Sequence, residues 1–442
     1  MKTNENADAA NVGAYENSDQ QDNYTHQTPG KQSEISPPIV ETFAELRPDA
    51  FRLDYGIIET CYPGLGPTVR ACLAVCAAMS LRGRARPLSL ILEGVSGLGK
   101  TAVVQMFMPR ANPELKKWIY RSDDFTAKSF VSHAANVKKE DLEQIDLLPK
   151  LRNRVLLTKE LAPIFHGNEE KLIERFAMLI SILDGEGFTS DSGMRGRRGY
   201  EEPIMFNWIG ATTPLPARTH RMMSQLGTRF LFYEVPTLEL TDEELLEYAR
   251  DGKSDEGARR CNAAINHFLC DFFKLHPVGS VDPQLITFPE ALLCEVTRWA
   301  RLLVKGRAQI NRENDFSGSV PVSAAPAEGP WRVVDYFKDL ALGNALIDGR
   351  TEVIDLDLEL VAYVAISSLP GHLRPVVRRL RTVESVSSSD CEGLCRVSRP
   401  TARKRLRELE LLGIVERISG CPETNQPDSV RLAEQFAWLR TR

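Results

Sequence analysis

The chain has 442 residues, 43% of them hydrophobic and 26% charged, with a formal net charge of −5. This is the composition of folded globular proteins; it excludes collagen-like and wholly disordered classes, and the length has room for about three units of ~150 residues. The longest uncharged apolar run, 71–81, falls well short of the ~20 residues that cross a bilayer. No apolar leader core stands at the amino terminus, so a cytoplasmic protein without a membrane span is expected.

In chain order, residues 1–38 are rich in Asn, Asp, Gln, Ser and Thr, end in Ser36-Pro37-Pro38, and read as a disordered tail. Residues 39–236 alternate between two periodicities. Helical spacing runs over 68–81, 102–108 and 170–183, and short apolar runs at 87–92, 155–157, 204–209 and 230–235 predict buried strands. Alternation of this kind predicts an α/β domain with a parallel sheet. Residues 237–370 turn helical, with amphipathic patterns at 239–250, 258–275, 289–304, 331–347 and 355–368 and a flexible loop expected over 307–330.

The last unit, 371–442, holds 14 Lys and Arg against 9 Asp and Glu, a local +5 that leaves −10 for the rest of the chain. Such asymmetry points the carboxyl-terminal unit at a polyanion. The nine cysteines are odd in number and contain no CxxC pair, which argues against a disulfide framework. Cys72 and Cys76, one helical turn apart among Ala, Leu and Val, read as packed thiols rather than metal ligands.

The chemistry is concentrated in Gly94-Val95-Ser96-Gly97-Leu98-Gly99-Lys100-Thr101, which fits GxxxxGK[ST] between an apolar strand and a helical segment. Glycines let successive N–H groups curl toward a phosphate, and on this reading Lys100 would meet the β- and γ-phosphates and the Thr101 hydroxyl would hold Mg²⁺. The same stretch satisfies G-x-G-x-x-A through Gly97, Gly99 and Ala102, with Asp123 about twenty residues on, so a dinucleotide site is a formal rival that Lys100-Thr101 disfavours. Some sixty residues later, Lys159-Glu160 follows an apolar run, where Glu160 could orient or deprotonate water, while Lys159 stands where an acid usually supports the metal. Thr212 and Thr213 end another run, and Arg229 precedes the last.

This order of motifs resembles the AAA+ ATPases over roughly 63–370. The resemblance implies a P-loop NTPase sheet with a helical lid, Walker A at 94–101, Walker B at Lys159-Glu160, sensor 1 at Thr212 or Thr213, an arginine finger at Arg229 and sensor 2 at Arg332. A finger acts on the ATP of a neighbouring subunit, so a homo-oligomeric ring is implied. The glycine- and arginine-rich stretch 184–203 is similar to the hairpin inserted before sensor 1 in the subgroup of minichromosome maintenance helicases, with Arg195, Arg197 and Arg198 near its tip and suited to phosphate contact.

Residues 388–418 and 430–436 read as a winged helix-turn-helix. Ser398 is the expected cap and Pro400 sits in the first turn of a helix over 399–412, stopped by Gly413. Arg399, Thr401, Arg403, Lys404 and Arg407 lie off its apolar face and suit a major groove and its phosphates. The expectation from sequence is therefore an oligomeric ATPase that remodels or moves on DNA, using ATP and Mg²⁺. Two rivals are an ATP-controlled DNA-binding switch with slow turnover, which Lys159 favours, and a protein remodeller whose winged helix only recruits clients.

Overall fold

The computed structural model describes residues 53–441 except 124, 127–128, 132–140, 193–195, 217–218, 221, 224–226, 238–240, 244–245, 247–254, 316–317 and 421–427. The tail expected over 1–38, Arg195 and most of the helix expected over 239–250 lie outside the described residues. Residues 37–442 cluster as one unit.

Helix α1 (Tyr55–Cys61) starts at Asp54, whose carboxylate accepts from the Gly56 N–H, as an N-cap should. Helix α2 (Gly66–Ala77) is buried almost all round, and Cys72 and Cys76 are packed thiols within it, their ionisation pushed up by burial. There follow β1 (Ser89–Glu93), α3 (Lys100–Met106), β2 (Ile119–Arg121), β3 (Val155–Thr158), α4 (Glu169–Leu183), β4 (Phe188–Ser192), β5 (Gly196–Tyr200), β6 (Asn207–Thr212) and β7 (Leu231–Glu234). The second half contains α5 (Asp255–Leu275), α6 (Glu290–Gly306), β8 (Ile310–Asp315), β9 (Gly318–Ala324), α7 (Trp331–Ile347), α8 (Asp355–Ser367) and α9 (Arg374–Leu380). It closes with β10 (Val386–Ser387), α10 (Ser388–Cys395), α11 (Arg399–Leu411), β11 (Val415–Ile418) and β12 (Ser429–Leu432).

The fold is mixed α/β around a five-stranded parallel sheet of order β2-β3-β6-β1-β7. Every residue of β1, β3 and β6 is buried, because the sheet is covered on both faces, and this is why those strands read as unbroken apolar runs. The pleat divides β1 between two cores. Leu90 and Leu92 join the cluster with α2, α3 and the later helices, whereas Ile91 joins Trp208, Phe165, Phe176 and Phe232 on the other face. The first of these clusters runs on into the carboxyl-terminal segment through Val376, Leu380 and Leu409. Close packing of α7 on α2 depends on Gly343, where a Cβ would lie 2.2 Å from the Ala74 carbonyl oxygen.

One sequence expectation is corrected, one strand is not anticipated and one cap differs in its bonding. Residues 310–324 are not a loose loop but an antiparallel hairpin, β8–β9, whose strand pattern is obscured by Pro321 and a register shift at Asn311/Arg312. It packs against α11, where Arg312 pairs with the buried Glu408. The short β2, with three residues, has no periodicity that a sequence could show. Ser398 holds the N-cap position of α11 in extended backbone as expected, but its hydroxyl bonds that of Thr401 at 3.0 Å rather than a backbone N–H.

The hairpin expected within 184–203 is present as β4–β5. Gly199, at φ 116°, is required there, since a Cβ would sit 2.0 Å from the Phe188 carbonyl oxygen. At the carboxyl terminus, α10 is fixed by a reciprocal cap in which the Asp390 N–H donates to Ser387 Oγ and the Ser387 N–H donates to Asp390 Oδ2. A three-stranded antiparallel sheet of order β10-β12-β11 flanks α10 and α11. Among the described residues no helix is long and apolar enough to cross a membrane.

Candidate functional site

The sheet is parallel, so the loops leaving its strand ends converge at one edge, the usual place for a ligand in an open α/β sheet. From β1 the chain passes through Gly94–Gly99 into α3. Gly97 and Gly99 adopt φ of 91° and 82°, in the left-handed region that only glycine enters without strain. A Cβ on Gly99 would also meet Leu65 Cδ1 at 2.6 Å. The loop is tied to β6 by the Gly94 N–H, which donates to the Thr212 carbonyl. Val95, Ser96, Gly97 and Thr101 are exposed.

Lys100, which opens α3, is buried, and its ammonium donates to the Val95 carbonyl oxygen at 2.7 Å. Burial pushes it below the usual lysine range, and the nearby Glu160 carboxylate pulls the other way. Glu160 itself accepts from the Ala162 N–H at 2.8 Å, which fixes it just beyond β3. Thr212, at the end of β6 and opposite Glu93 in register, is fully buried, and its hydroxyl has no hydrogen-bond partner among the described residues. Thr213 follows it, half-buried. The ends of β1, β3 and β6 thus bring Lys100, Glu160 and Thr212 to one edge, as the sequence pattern anticipates.

Lys159 turns away from this group. It pairs at 3.3 Å with Asp123, just past the end of β2, which also accepts from Arg121 Nε at 2.7 Å. Burial opposes ionisation of Asp123, but Arg121 and Lys159 outweigh it and hold the carboxyl below its ordinary range.

Sequence reasoning missed a buried ion pair beside the loop. Glu93, the residue before Gly94, is 3% exposed; it accepts from the Leu215 N–H at 2.9 Å and lies 2.5 Å from Arg374 Nη1. Arg374, from α9, also donates to the Leu369 carbonyl at 2.7 Å and approaches Glu234 to 3.9 Å, while Arg378 bonds Glu234 directly. An acidic residue closing an apolar strand was the available signal. Its partner, some 280 residues away, carried none.

The structure places Arg229 and Arg332 away from the glycine loop. Arg229 is 9% exposed and donates to Asp184 at 2.9 Å, and Arg332 lies 3.8 Å from the same carboxylate and 3.5 Å from Glu328. Asp184 caps the end of α4, and the next residue, Gly185, packs on Pro87 and Met205, which precede β1 and β6. The arginines therefore sit at the amino edge of the sheet, one strand length or roughly 16 Å from the loop at ~3.3 Å per residue. Arg332 is thus set apart from Lys100, and Arg229 is held by its own Asp184.

Two surfaces carry the expected basic residues. On α11, Arg399, Thr401, Arg403 and Arg407 are exposed and Lys404 is half-buried, opposite a face of Ala402, Leu406 and Leu409 that is buried. Arg407 bonds Glu410 at 2.8 Å. In β5, Arg197 is exposed and pairs with Glu201, whereas the neighbouring Arg198 is half-buried, since successive strand residues face opposite sides. No protein-family model and no curated protein matches this chain.

Proposed function

We propose that the chain is an AAA+-like P-loop ATPase whose helical 255–367 region serves as a lid and whose carboxyl-terminal segment is a DNA-binding winged helix. The observation that carries this reading is the state of Lys100: a desolvated ammonium, held in a loop that glycines alone can form, whose hydrogen-bond partner is a neutral carbonyl. A buried cation bonded to a neutral carbonyl, with the Glu160 carboxylate acting on it only through its charge, is costly, and polyphosphate oxygens supply a bonded counter-charge. The residues fit ATP with Mg²⁺. Lys100 would hold the terminal phosphates, the exposed Thr101 hydroxyl would ligate the ion, and the unpartnered Thr212 hydroxyl would have a phosphate or water to bond. When bound, Mg²⁺ neutralises charge on the phosphates.

Glu160 is the base of this proposal. Its carboxylate stands at the strand end facing Lys100, fixed by the Ala162 N–H, where it accepts a proton from water. The exposed, basic side of α11 takes the DNA, with phosphate contacts from its arginines.

A second reading, the slowly hydrolysing switch, is favoured by two observations. The place of a metal-supporting acid is held by Lys159, paired to Asp123, and Arg229 is bonded to its own Asp184. Titration of labelled ATP, followed by phosphate release with and without duplex DNA, tests both. The motor reading expects DNA-stimulated turnover abolished in Glu160→Gln, and the switch reading expects ATP-dependent DNA affinity with little phosphate release. Equal ATP affinity in the parent chain and Lys100→Ala overturns both.

A further inference from the structure

A cavity of about 290 Å³ opens where the end of α6, the β8–β9 hairpin, the turn before α9 and the inner face of α11 meet. Its walls hold a guanidinium that carboxylates reach through their charge but do not bond among the described residues. Arg307, 6% exposed, donates among the described residues to neutral oxygens, the Thr228 hydroxyl at 3.3 Å and the Phe230 carbonyl at 3.1 Å, and its guanidinium lies over the Phe232 ring. Burial pulls it down to about 10, with Glu328 and Glu93 opposing and Arg374 adding to the effect.

His220 faces the same space at 8% exposure, and neither ring nitrogen has a hydrogen-bond partner among the described residues. Burial, with Arg374, Arg307 and His372 around it, keeps the imidazole neutral. The other charged groups of the wall are already satisfied by one another: Glu408 accepts from His372 at 2.7 Å and from Arg312.

Buried polar nitrogens without partners cost stability unless something bonds them, and a buried guanidinium bonded only to neutral oxygens wants an anion. The space suits a small molecule. We propose that this cavity is a second ligand site, separate from the glycine loop, which binds a small molecule through an oxyanion, a phosphate ester or a carboxylate, held by Arg307 and by one N–H of His220. The other imidazole nitrogen then accepts from a hydroxyl of the same ligand.

Titration calorimetry of the full chain tests this with inorganic phosphate and with succinate as probes, in a Lys100→Ala background that removes the glycine loop's own claim on phosphate. At least one probe binds at one per chain. Adding His220→Phe, which keeps an aromatic ring and deletes both nitrogens, weakens that binding at least tenfold while the melting temperature does not fall. Arg307→Met has the same effect on binding where it folds, and His220→Phe decides the matter where it does not. Stronger phosphate binding assigns the ester, stronger succinate binding the carboxylate. Failure of both probes to bind, or unchanged affinity in the His220→Phe chain, overturns the proposal.

Discussion

Replacing Arg374 with Met leaves the Glu93 carboxylate 3% exposed with the Leu215 N–H as its remaining bonded donor. Removing one side of a buried ion pair costs about 3–5 kcal/mol. Losing the Arg374 bond to the Leu369 carbonyl adds ~1 kcal/mol. Against a total folding stability of ~5–15 kcal/mol this is a large share. Glu93→Gln is milder: the amide still accepts from Leu215, and Arg374 keeps Glu234 at 3.9 Å, so about 2–3 kcal/mol is expected. The informative chain is the double replacement. With neither charge stranded, it is expected to be about 1–3 kcal/mol more stable than Arg374→Met alone. Urea unfolding followed through the five tryptophans measures all four chains. If the two single costs simply add, Glu93 and Arg374 are not coupled and the reasoning from burial fails.

Gly99→Ala forces a Cβ onto a residue at φ 82° and 2.6 Å from Leu65 Cδ1, and a loss of about 1–3 kcal/mol is expected in thermal unfolding, with a matching fall in ATP affinity. Glu408 is buried, which raises its carboxyl, but His372 and Arg312 outweigh burial and hold it below the ordinary range. Because the folded value is depressed, its contribution is complete above the unfolded value of about 4.3 and is lost as pH falls through the folded value. Glu408→Gln should therefore flatten the acid limb of the stability profile, and an unchanged limb refutes it. Arg403→Ala should weaken DNA binding about equally for all sequences and lower the slope of log affinity against log salt by about 1; a loss confined to one sequence contradicts a phosphate contact.

What the sequence displays is what short-range rules encode. Strands β1, β3, β6 and β7 follow apolar runs, the described amphipathic helices fall within a few residues of their expected ends, and the glycine stretch expected to curl has positive φ at Gly97 and Gly99. Glu160 and Thr212 are legible for the same reason, each ending an apolar strand of a parallel sheet. What depends on pairing between distant residues is not legible. Arg229 and Arg332 look like free cations until Asp184 and Glu328 fold against them, and Arg374 looks like one of several basic residues in a positively charged segment until it meets Glu93. The β8–β9 hairpin escapes for a related reason, since its Ser- and Pro-containing strands are stabilised through α11 rather than by their own apolar pattern.

The Glu93–Arg374 contact has a practical corollary for anyone dissecting this protein. Pro370-Gly371 invites the molecular biologist's scissors, but an expression clone that stops there discards the guanidinium neutralising the carboxylate at the root of the glycine loop. Failure of such a fragment to bind nucleotide would report an orphaned acid, not a missing DNA module.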